Sequence, residues 1–238
     1  MGRASLLSRR ETDSGPHSCS TAGPMPIPKF LHSLSRGWLS LLAIVPVIAL
    51  LSGFLPLDFS RPTPLVGDAQ RQAELRAHWQ RGDLIVLVRH AERCDRSSAP
   101  CMGNVDGITV RGGENAREIG QDFAALGLAN ADILSSEQIR AVQTATSMFG
   151  QAPQEQEWLY NCEGSMLSRA LQHKVAHRNL ILVTHSECIE DLEHSVSVKD
   201  PATPDYTSTL FVLSEQDQPP RLLGYLDADQ WPLNVSER

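Results

Sequence analysis

The chain is poor in aromatic residues and has no excess of positive charge. Phe, Trp and Tyr make up 5% of its 238 residues, and the formal net charge is -7. Few aromatic rings argue against a surface that stacks on bases, and an acidic chain lacks the basic field that attracts a phosphate backbone. The sequence therefore predicts a protein that does not bind nucleic acid.

Charge is absent altogether from residues 38–57, which read WLSLLAIVPVIALLSGFLPL. A stretch of about 20 apolar residues matches one membrane span. The basic residues before it, Lys29 and Arg36 among them, predict that the amino end stays in the cytoplasm and that the rest lies outside. We expect an uncleaved membrane anchor. A cleaved signal peptide, with Met25 rather than Met1 as the start, is the alternative.

This apolar stretch divides the chain. Residues 1–37 are rich in Ser, Pro, Gly and Arg without a periodic apolar face, which predicts a disordered cytoplasmic tail. Residues 58–66 contain prolines and predict a linker. Residues 67–238 are long enough for one globular domain with a sizeable core.

The cysteines contain no C-x-x-C pair, which weakens a zinc site as their interpretation. Four of the five follow the apolar stretch: Cys94, Cys101, Cys162 and Cys188. An even number beyond an export segment predicts disulfides and an oxidising compartment such as a periplasm. Four cysteines allow three connectivities. The short loop favours Cys94–Cys101, which leaves Cys162–Cys188, but the sequence alone does not decide.

Two apolar runs each end near a histidine. Residues 84–88 (LIVLV) lead into Arg89 and His90, and residues 180–183 (LILV) lead through a threonine into His185. Such runs predict buried strands whose carboxyl ends open on a polar crevice. A guanidinium can grip two phosphate oxygens, and a neutral imidazole can attack phosphorus. The pattern therefore predicts a phosphoryl-transfer site at one edge of a sheet.

Strand and helix patterns alternate along the rest of the chain. Helices are predicted at 68–80, 109–126, 137–149 and 165–173, and strands at 84–88, 131–135, 180–184, 208–214 and 221–226. This alternation predicts a three-layer α/β/α sandwich with a mostly parallel central sheet. A Ser-, Pro- and Gly-rich loop at 96–107 is long enough to help form a binding site.

Three segments carry a resemblance to a known family. Residues 89–93 (RHAER), 135–145 (SSEQIRAVQTA) and 183–185 (VTH) resemble the three signatures of the histidine phosphatase superfamily, in the same order. The likeness covers residues 83 to about 226. Residues 89–97 (RHAERCDRS) and 107–110 (GITV) further resemble the exported branch that includes lipopolysaccharide core heptose phosphate phosphatases. The four cysteines and the export segment fit that branch.

The resemblance implies a role for each matching residue. His90 would be the nucleophile that forms a phosphohistidine, and His185 would stabilise the transferred charge from the opposite side. Arg89 and Arg140 would hold phosphate oxygens, with Arg93 as a third arginine. Fixed cations stabilise the charge spread over the equatorial oxygens of a transferring phosphoryl group. We therefore expect no metal and no cofactor.

At the general acid the chain departs from the family's patterns. Many relatives place a Glu in an Arg-Leu-x-Glu segment, where this chain has Asn161 with Glu163 close by. Another branch places an acidic residue directly after the third-signature histidine, where Ser186 here precedes Glu187. Glu163 is taken as the catalytic acid, with Glu187 as the alternative. Glu92 is interpreted as a strand-end carboxylate that orients an arginine, outside the catalytic set.

Together these patterns predict a periplasmic phosphomonoesterase, anchored in the inner membrane, that acts on a phosphorylated heptose of the lipopolysaccharide core. Two alternatives remain open. One is a periplasmic phosphatase of broad specificity for sugar phosphates. The other is a non-catalytic protein that has kept the pocket and binds phosphate.

Overall fold

The computed structural model describes residues 62–233. The predicted cytoplasmic tail and the predicted membrane segment at 38–57 lie outside the described residues. Among the helices between residues 62 and 233, none is long and apolar enough to cross a bilayer.

One mixed sheet organises the described part of the chain. Its six strands are β1 (Leu84–Arg89), β2 (Ala131–Ser135), β3 (Gln154–Glu155), β4 (Asn179–Thr184), β5 (Thr209–Leu213) and β6 (Arg221–Leu226), arranged in the order β3-β2-β4-β1-β5-β6. Neighbours from β3 to β1 pair in parallel, and β5 pairs antiparallel with both β1 and β6. Because only β5 is reversed, the prediction of a mostly parallel sheet is confirmed.

Five α-helices accompany the strands between residues 62 and 233. They are α1 (Ala69–Arg81), α2 (Val110–Leu126), α3 (Ile139–Phe149), α4 (Met166–His173) and α5 (Ser186–Ser195). The first four lie where the sequence predicts helices. The fifth was not predicted, because it begins directly after His185 and its buried apolar side chains are only Cys188, Ile189 and Leu192.

The core lies on both faces of the sheet because side chains alternate along each strand. Val86 and Val88 of β1 face one apolar cluster, which also contains Phe123 of α2. Ile85 and Leu87 face a second cluster, built with α4 and α5. All four β1 side chains are fully buried. The two clusters place helices on both sides of the sheet, as the predicted three-layer arrangement requires.

The entry into β1 depends on a glycine. Gly82 ends α1 with φ of 74° and donates its backbone N–H to the carbonyls of His78 and Trp79. A Cβ at this position would lie 2.2 Å from the carbonyl carbon of His177. A left-handed turn without a side chain therefore lets the chain reverse from α1 directly into the central strand.

Both disulfides follow the favoured pairing. Cys94 is bonded to Cys101, and Cys162 is bonded to Cys188, with Cα–Cα distances of 5.3 Å and 5.6 Å. These four cysteines are therefore not zinc ligands. The second disulfide ties the segment before α4 to the first turn of α5.

Candidate active site

The two signature histidines meet at one edge of the sheet. Because β1 and β4 pair in parallel with Arg89 opposite Thr184, the next residue of each strand reaches the same place. The backbone N–H of His90 donates to the carbonyl of Thr184 over 2.9 Å. The rings of His90 and His185 have centroids 5.2 Å apart, and the two residues are 3% and 2% exposed. The sequence prediction that these histidines come together is confirmed.

His90 is held as a neutral imidazole with one nitrogen available. Its Nδ1 lies 2.8 Å from the carbonyl oxygen of Ala91, which can only accept, so Nδ1 carries the proton and Nε2 keeps its lone pair. The pKa of His90 is lowered to about 3, mainly by burial, with smaller contributions from His185, Arg140 and Arg89 and against the opposing Ala91 hydrogen bond. A neutral imidazole with a free lone pair can act as a nucleophile.

His185 is positioned by a serine of the second signature. Its Nε2 lies 2.9 Å from the Oγ of Ser136, while its Nδ1 is buried without a partner. The ring of Tyr160 meets it edge-on with centroids 5.1 Å apart. Burial lowers the pKa of His185 to about 4, Arg140 adds to this, and Glu187 opposes it.

Arg89 is supported by a distant loop. Its Nη1 donates to the carbonyl of Pro204 over 2.5 Å, and its guanidinium carbon lies 4.3 Å from the ring centroid of Tyr206. The Tyr206 ring also lies 5.7 Å from the ring of His90. The Nε of Arg89 is buried without a partner. This residue is thus fixed at one end and retains an unused donor.

Arg140 comes from the first turn of α3. Its guanidinium carbon lies 5.8 Å from the ring centroid of Tyr160, and its Nε is also buried without a partner. Burial lowers the pKa of Arg140, and the like charge of Arg93 lowers it further. The hydroxyl of Thr144 donates to the carbonyl of Arg140 and accepts from the backbone N–H of Ala91. This link holds α3 against the end of β1.

Arg93 is oriented by a carboxylate two residues further on. Its Nε and Nη2 donate to the two carboxylate oxygens of Asp95 over 2.8 Å and 2.5 Å. The hydrogen bond to Asp95 raises the pKa of Arg93. Its Nη1 is the nitrogen that Asp95 does not occupy, so this arginine can still meet an anion.

Both candidate acids line one cleft with the cations. The cleft measures about 740 Å³, and its walls include Arg93, Arg140 and His185 together with Glu163 and Glu187. All the predicted site residues except Arg89 and His90 contribute to these walls, and the ring of His90 lies edge-on to that of His185 with centroids 5.2 Å apart. The structure thus brings the predicted site residues into one region.

The environment of Glu187 differs from that of an ordinary surface carboxylate. Burial raises the pKa of Glu187, but its own backbone N–H, the Ser186 hydroxyl 3.1 Å away, His185 and Arg89 outweigh that effect and leave the pKa lowered. Hydrogen bonds and cations stabilise the charged form. Glu187 is therefore ionised in the free protein.

Unpartnered nitrogens mark where an anion fits. In the described part of the chain, six buried side-chain nitrogen or oxygen atoms have no hydrogen-bond partner. Three of them are the Nε of Arg89, the Nε of Arg140 and the Nδ1 of His185. Buried polar atoms are nearly always paired. Two unused guanidinium donors around one pair of histidines therefore indicate an anion-binding site.

Glu92 is confirmed as a carboxylate that orients an arginine. Both of its oxygens accept from Arg111, and it also accepts from the Thr109 hydroxyl over 2.7 Å. The hydrogen bond from Arg111 lowers the pKa of Glu92 to about 2. This carboxylate therefore stabilises the start of α2 through Thr109 and Arg111.

Four supporting residues were not predicted from the sequence: Asp95, Ser136, Tyr160 and Tyr206. Ser136 lies within the second signature, and the signature itself was a signal that could have identified it. Asp95 stands two residues after Arg93, a spacing that a bidentate pair can use. Tyr206 lies in a loop without periodicity, so only the folded chain brings it to Arg89.

Known proteins resemble this chain. No protein-family model matches the chain. Among curated proteins, the lipopolysaccharide core heptose(II)-phosphate phosphatase of Escherichia coli O9:H4 (strain HS) is 34% identical over 155 residues, covering 63% of this chain and 73% of that protein. The protein of that name from strain K12 / DH10B is 35% identical with the same coverage.

Solved structures show more distant likenesses. The protein histidine phosphatase SixA complexed with tungstate is 14% identical, with a TM-score of 0.49 over 61% of this chain and 97% of that one. A phosphoserine phosphatase mutant from Entamoeba histolytica is 15% identical, with a TM-score of 0.45 over 62% and 98%. Likenesses at this level do not assign an activity. The sequence relatives show the family: the chain is a phosphoric monoester hydrolase and belongs to the family of these lipopolysaccharide core heptose(II)-phosphate phosphatases.

Proposed function

We propose that this enzyme removes phosphate from a heptose of the lipopolysaccharide core through a phosphohistidine on His90. The observation that carries the chemistry is the neutral imidazole of His90 beside guanidinium donors that have no protein partner. The names of the sequence relatives support the heptose phosphate as substrate.

In the first half-reaction the phosphate monoester lies against Arg89, Arg93 and Arg140. The Nε2 lone pair of His90 forms a bond to phosphorus, and the bond from phosphorus to the sugar oxygen breaks. The electron pair of that bond stays on the sugar oxygen, which takes a proton from a carboxylic acid. The arginines stabilise the charge on the equatorial oxygens throughout.

In the second half-reaction water replaces the sugar. The carboxylate formed in the first step takes a proton from the water as its oxygen bonds to phosphorus. The phosphorus–nitrogen bond then breaks, and its electron pair returns to Nε2 of His90. Inorganic phosphate leaves, and the neutral imidazole and the protonated acid are both restored. His185 lies opposite His90 and donates to a phosphoryl oxygen.

Glu187 is the stronger candidate for the acid because it interacts electrostatically with the arginines of the site. Its charge influences the pKa values of Arg93 and Arg140, and Arg89 influences its own. A phosphate dianion bound beside Glu187 would raise its pKa, which allows it to hold the proton that the free enzyme lacks. Glu163 shares the cleft and stays the second candidate.

A periplasmic location for the enzyme rests on three observations. The described domain contains two disulfides, which persist in oxidising compartments. Residues 38–57 form a charge-free apolar stretch that supports export and anchoring in the inner membrane. The named substrate of the relatives is a lipopolysaccharide core.

The test is phosphate release by the full chain, purified with its disulfides, from an aryl phosphate and from phosphorylated core oligosaccharide. His90→Ala is expected to lose about a thousandfold or more of the rate on both. The control His177→Asn changes an exposed histidine with positive φ, which Asn tolerates, and should keep full activity. Rapid acid-free quenching should trap labelled phosphate on wild-type His90.

Each outcome decides a separate part of the proposal. No release by folded wild type would contradict turnover, and equal release by His90→Ala would contradict the phosphohistidine. Release from the aryl phosphate with none from the oligosaccharide would exclude the heptose substrate and leave a phosphatase for other esters.

A further inference from the structure

A second pocket lies beside β5 and β6, and neither His90 nor His185 lines it. It measures about 250 Å³, and its lining includes Ile189, Glu193, Pro204, Asp205, Leu210 and Asp227. Ala202, Thr203 and Asp205 are exposed and form its rim, while Glu193 is buried. The pocket therefore opens to solvent above a buried carboxyl group.

Glu193 is the unusual feature of this pocket. The residue is 4% exposed, and its Oε2 is buried without a hydrogen-bond partner. Burial raises the pKa of Glu193 to about 7, and the charge of Glu190 adds to this. An unpartnered buried carboxyl group costs stability, so its retention at this position needs an explanation.

Two further carboxyl groups strengthen the negative character of the pocket. Burial raises the pKa of Asp227, the Ser208 hydroxyl opposes this, and the charge of Asp205 raises it again. None of the described residues that line the pocket is basic. The lining thus holds three acidic side chains and no built-in counter-charge, which favours a cationic occupant.

The geometry disfavours a directly coordinated metal ion. Between residues 62 and 233, the only His, Cys, Asp or Glu trio with ligand atoms within 4.8 Å of one another is His78, Asp83 and Glu215, which lies elsewhere. Apolar side chains such as Ile189 and Leu210 also line the pocket. Its volume is below the range of about 300–1,000 Å³ typical of drug-sized ligands.

We propose that this pocket binds a small organic ammonium ion, with the ammonium group at Glu193 and the carbon body against the apolar walls. A primary ammonium offers three donors, which matches a carboxyl group whose oxygen lacks a partner. The bound cation would stabilise ionised Glu193, so binding should release a proton near neutral pH.

The pocket shares a loop with the phosphate site. Pro204 lines the pocket and also accepts the hydrogen bond from Arg89, and Tyr206 stacks on the same guanidinium. The backbone N–H of Arg89 donates to the carbonyl of Ser208, a third residue of this loop. An occupant that orders this loop would fix Arg89 and lower KM for the phosphate ester. This effect on KM rests on the proposed function, whereas the binding itself does not.

The test begins with calorimetric titration of ethylammonium chloride into the full-length protein without substrate, with sodium chloride at equal ionic strength as the blank. Saturable binding is expected, weakened about tenfold or more in Glu193→Gln and in Asp227→Asn, each of which removes one of the three acidic groups with little change of shape. Asp217→Asn removes an exposed charge at a residue that does not line the pocket, and it should bind as wild type. Wild-type titration in two buffers of different ionisation enthalpy measures the proton released.

Saturable binding that depends on Glu193 supports the site. No saturation by wild type at millimolar ethylammonium, or equal binding by Glu193→Gln, overturns it. If calcium chloride saturates the pocket and ethylammonium does not, the organic class is overturned. A KM for aryl phosphate that does not change on saturation overturns the coupling alone. An enzyme without turnover would contradict the proposed function while the calorimetry still decides this site.

Discussion

The hydroxyl of Ser136 lies 2.9 Å from Nε2 of His185 and fixes the ring that faces His90. Ser136→Ala removes this contact from a buried nitrogen, so we expect kcat to fall about 5- to 20-fold, the size of one or two net hydrogen bonds. The measurement is steady-state hydrolysis of an aryl phosphate, with the His185 ring followed by NMR.

Ser135→Ala is the matched control for that change, because the Ser135 hydroxyl donates to the backbone carbonyl of Ser136 and not to a histidine. It should leave the imidazole signals of His185 in place. A Ser136→Ala enzyme with unaltered His185 signals and full kcat would contradict the positioning role.

Substrates with different leaving groups can show whether Glu187 or Glu163 is the general acid. Glu187→Gln should lower kcat on a sugar phosphate about a hundredfold, because an alkoxide must be protonated as it leaves. The same variant should change hydrolysis of p-nitrophenyl phosphate only about threefold or less, since that leaving group needs little help. Glu163→Gln is the matched comparison. A large loss on sugar phosphate confined to Glu163→Gln would assign the acid to Glu163 instead.

His90 should stay neutral far below the ordinary range of histidine. Burial lowers its pKa from 6.5 to about 3, so the folded protein does not take up this proton between those values, whereas the unfolded chain does. The unfolded state then binds more protons, and stability falls as the pH drops from 6.5 towards 3. NMR titration of His90 in phosphate-free buffer, with denaturant unfolding at each pH, measures both effects.

A midpoint near 6.5 for His90 would contradict its buried neutral state. The His90→Asn variant lacks the titrating group, and it should lose less stability than wild type over the same acidification. Burial is the main reason that the pKa of His185 is lowered to about 4. This pKa should lie below 6.5 both in wild type and in His90→Asn.

Tyr206 should contribute to phosphate affinity through Arg89. Tyr206→Leu removes the ring that lies 4.3 Å from the guanidinium carbon, and we expect KM to rise about 2- to 30-fold while kcat changes less. Tyr206→Phe keeps the ring and should behave as wild type. The KM values for an aryl phosphate test this, and a Tyr206→Phe enzyme as impaired as Tyr206→Leu would show that the hydroxyl matters instead.

The strands β1 and β4 and the histidine pair could be predicted from the sequence because the apolar runs before His90 and His185 are continuous, whereas the two-residue strand β3 was missed. Strands buried on both faces show this pattern, and their parallel pairing brings their carboxyl ends together without further information. The start of α2 at Thr109 followed for a similar local reason, since the threonine hydroxyl accepts from the N–H of Gly112.

The contacts that hold the arginines in place could not be predicted from the local sequence. The bond from Arg89 to Pro204 joins residues 115 apart, and nothing in the local sequence of either segment indicates the other. The helix α5 was missed because only a narrow apolar stripe marks it. Contacts set by loop packing depend on the finished fold, and a single sequence carries little signal for them.

The disulfide between Cys162 and Cys188 joins two segments that each carry a cleft carboxylate directly beside the cysteine, Glu163 in one and Glu187 in the other. The covalent bond therefore limits how far apart the two candidate acids can move, whichever of them donates the proton.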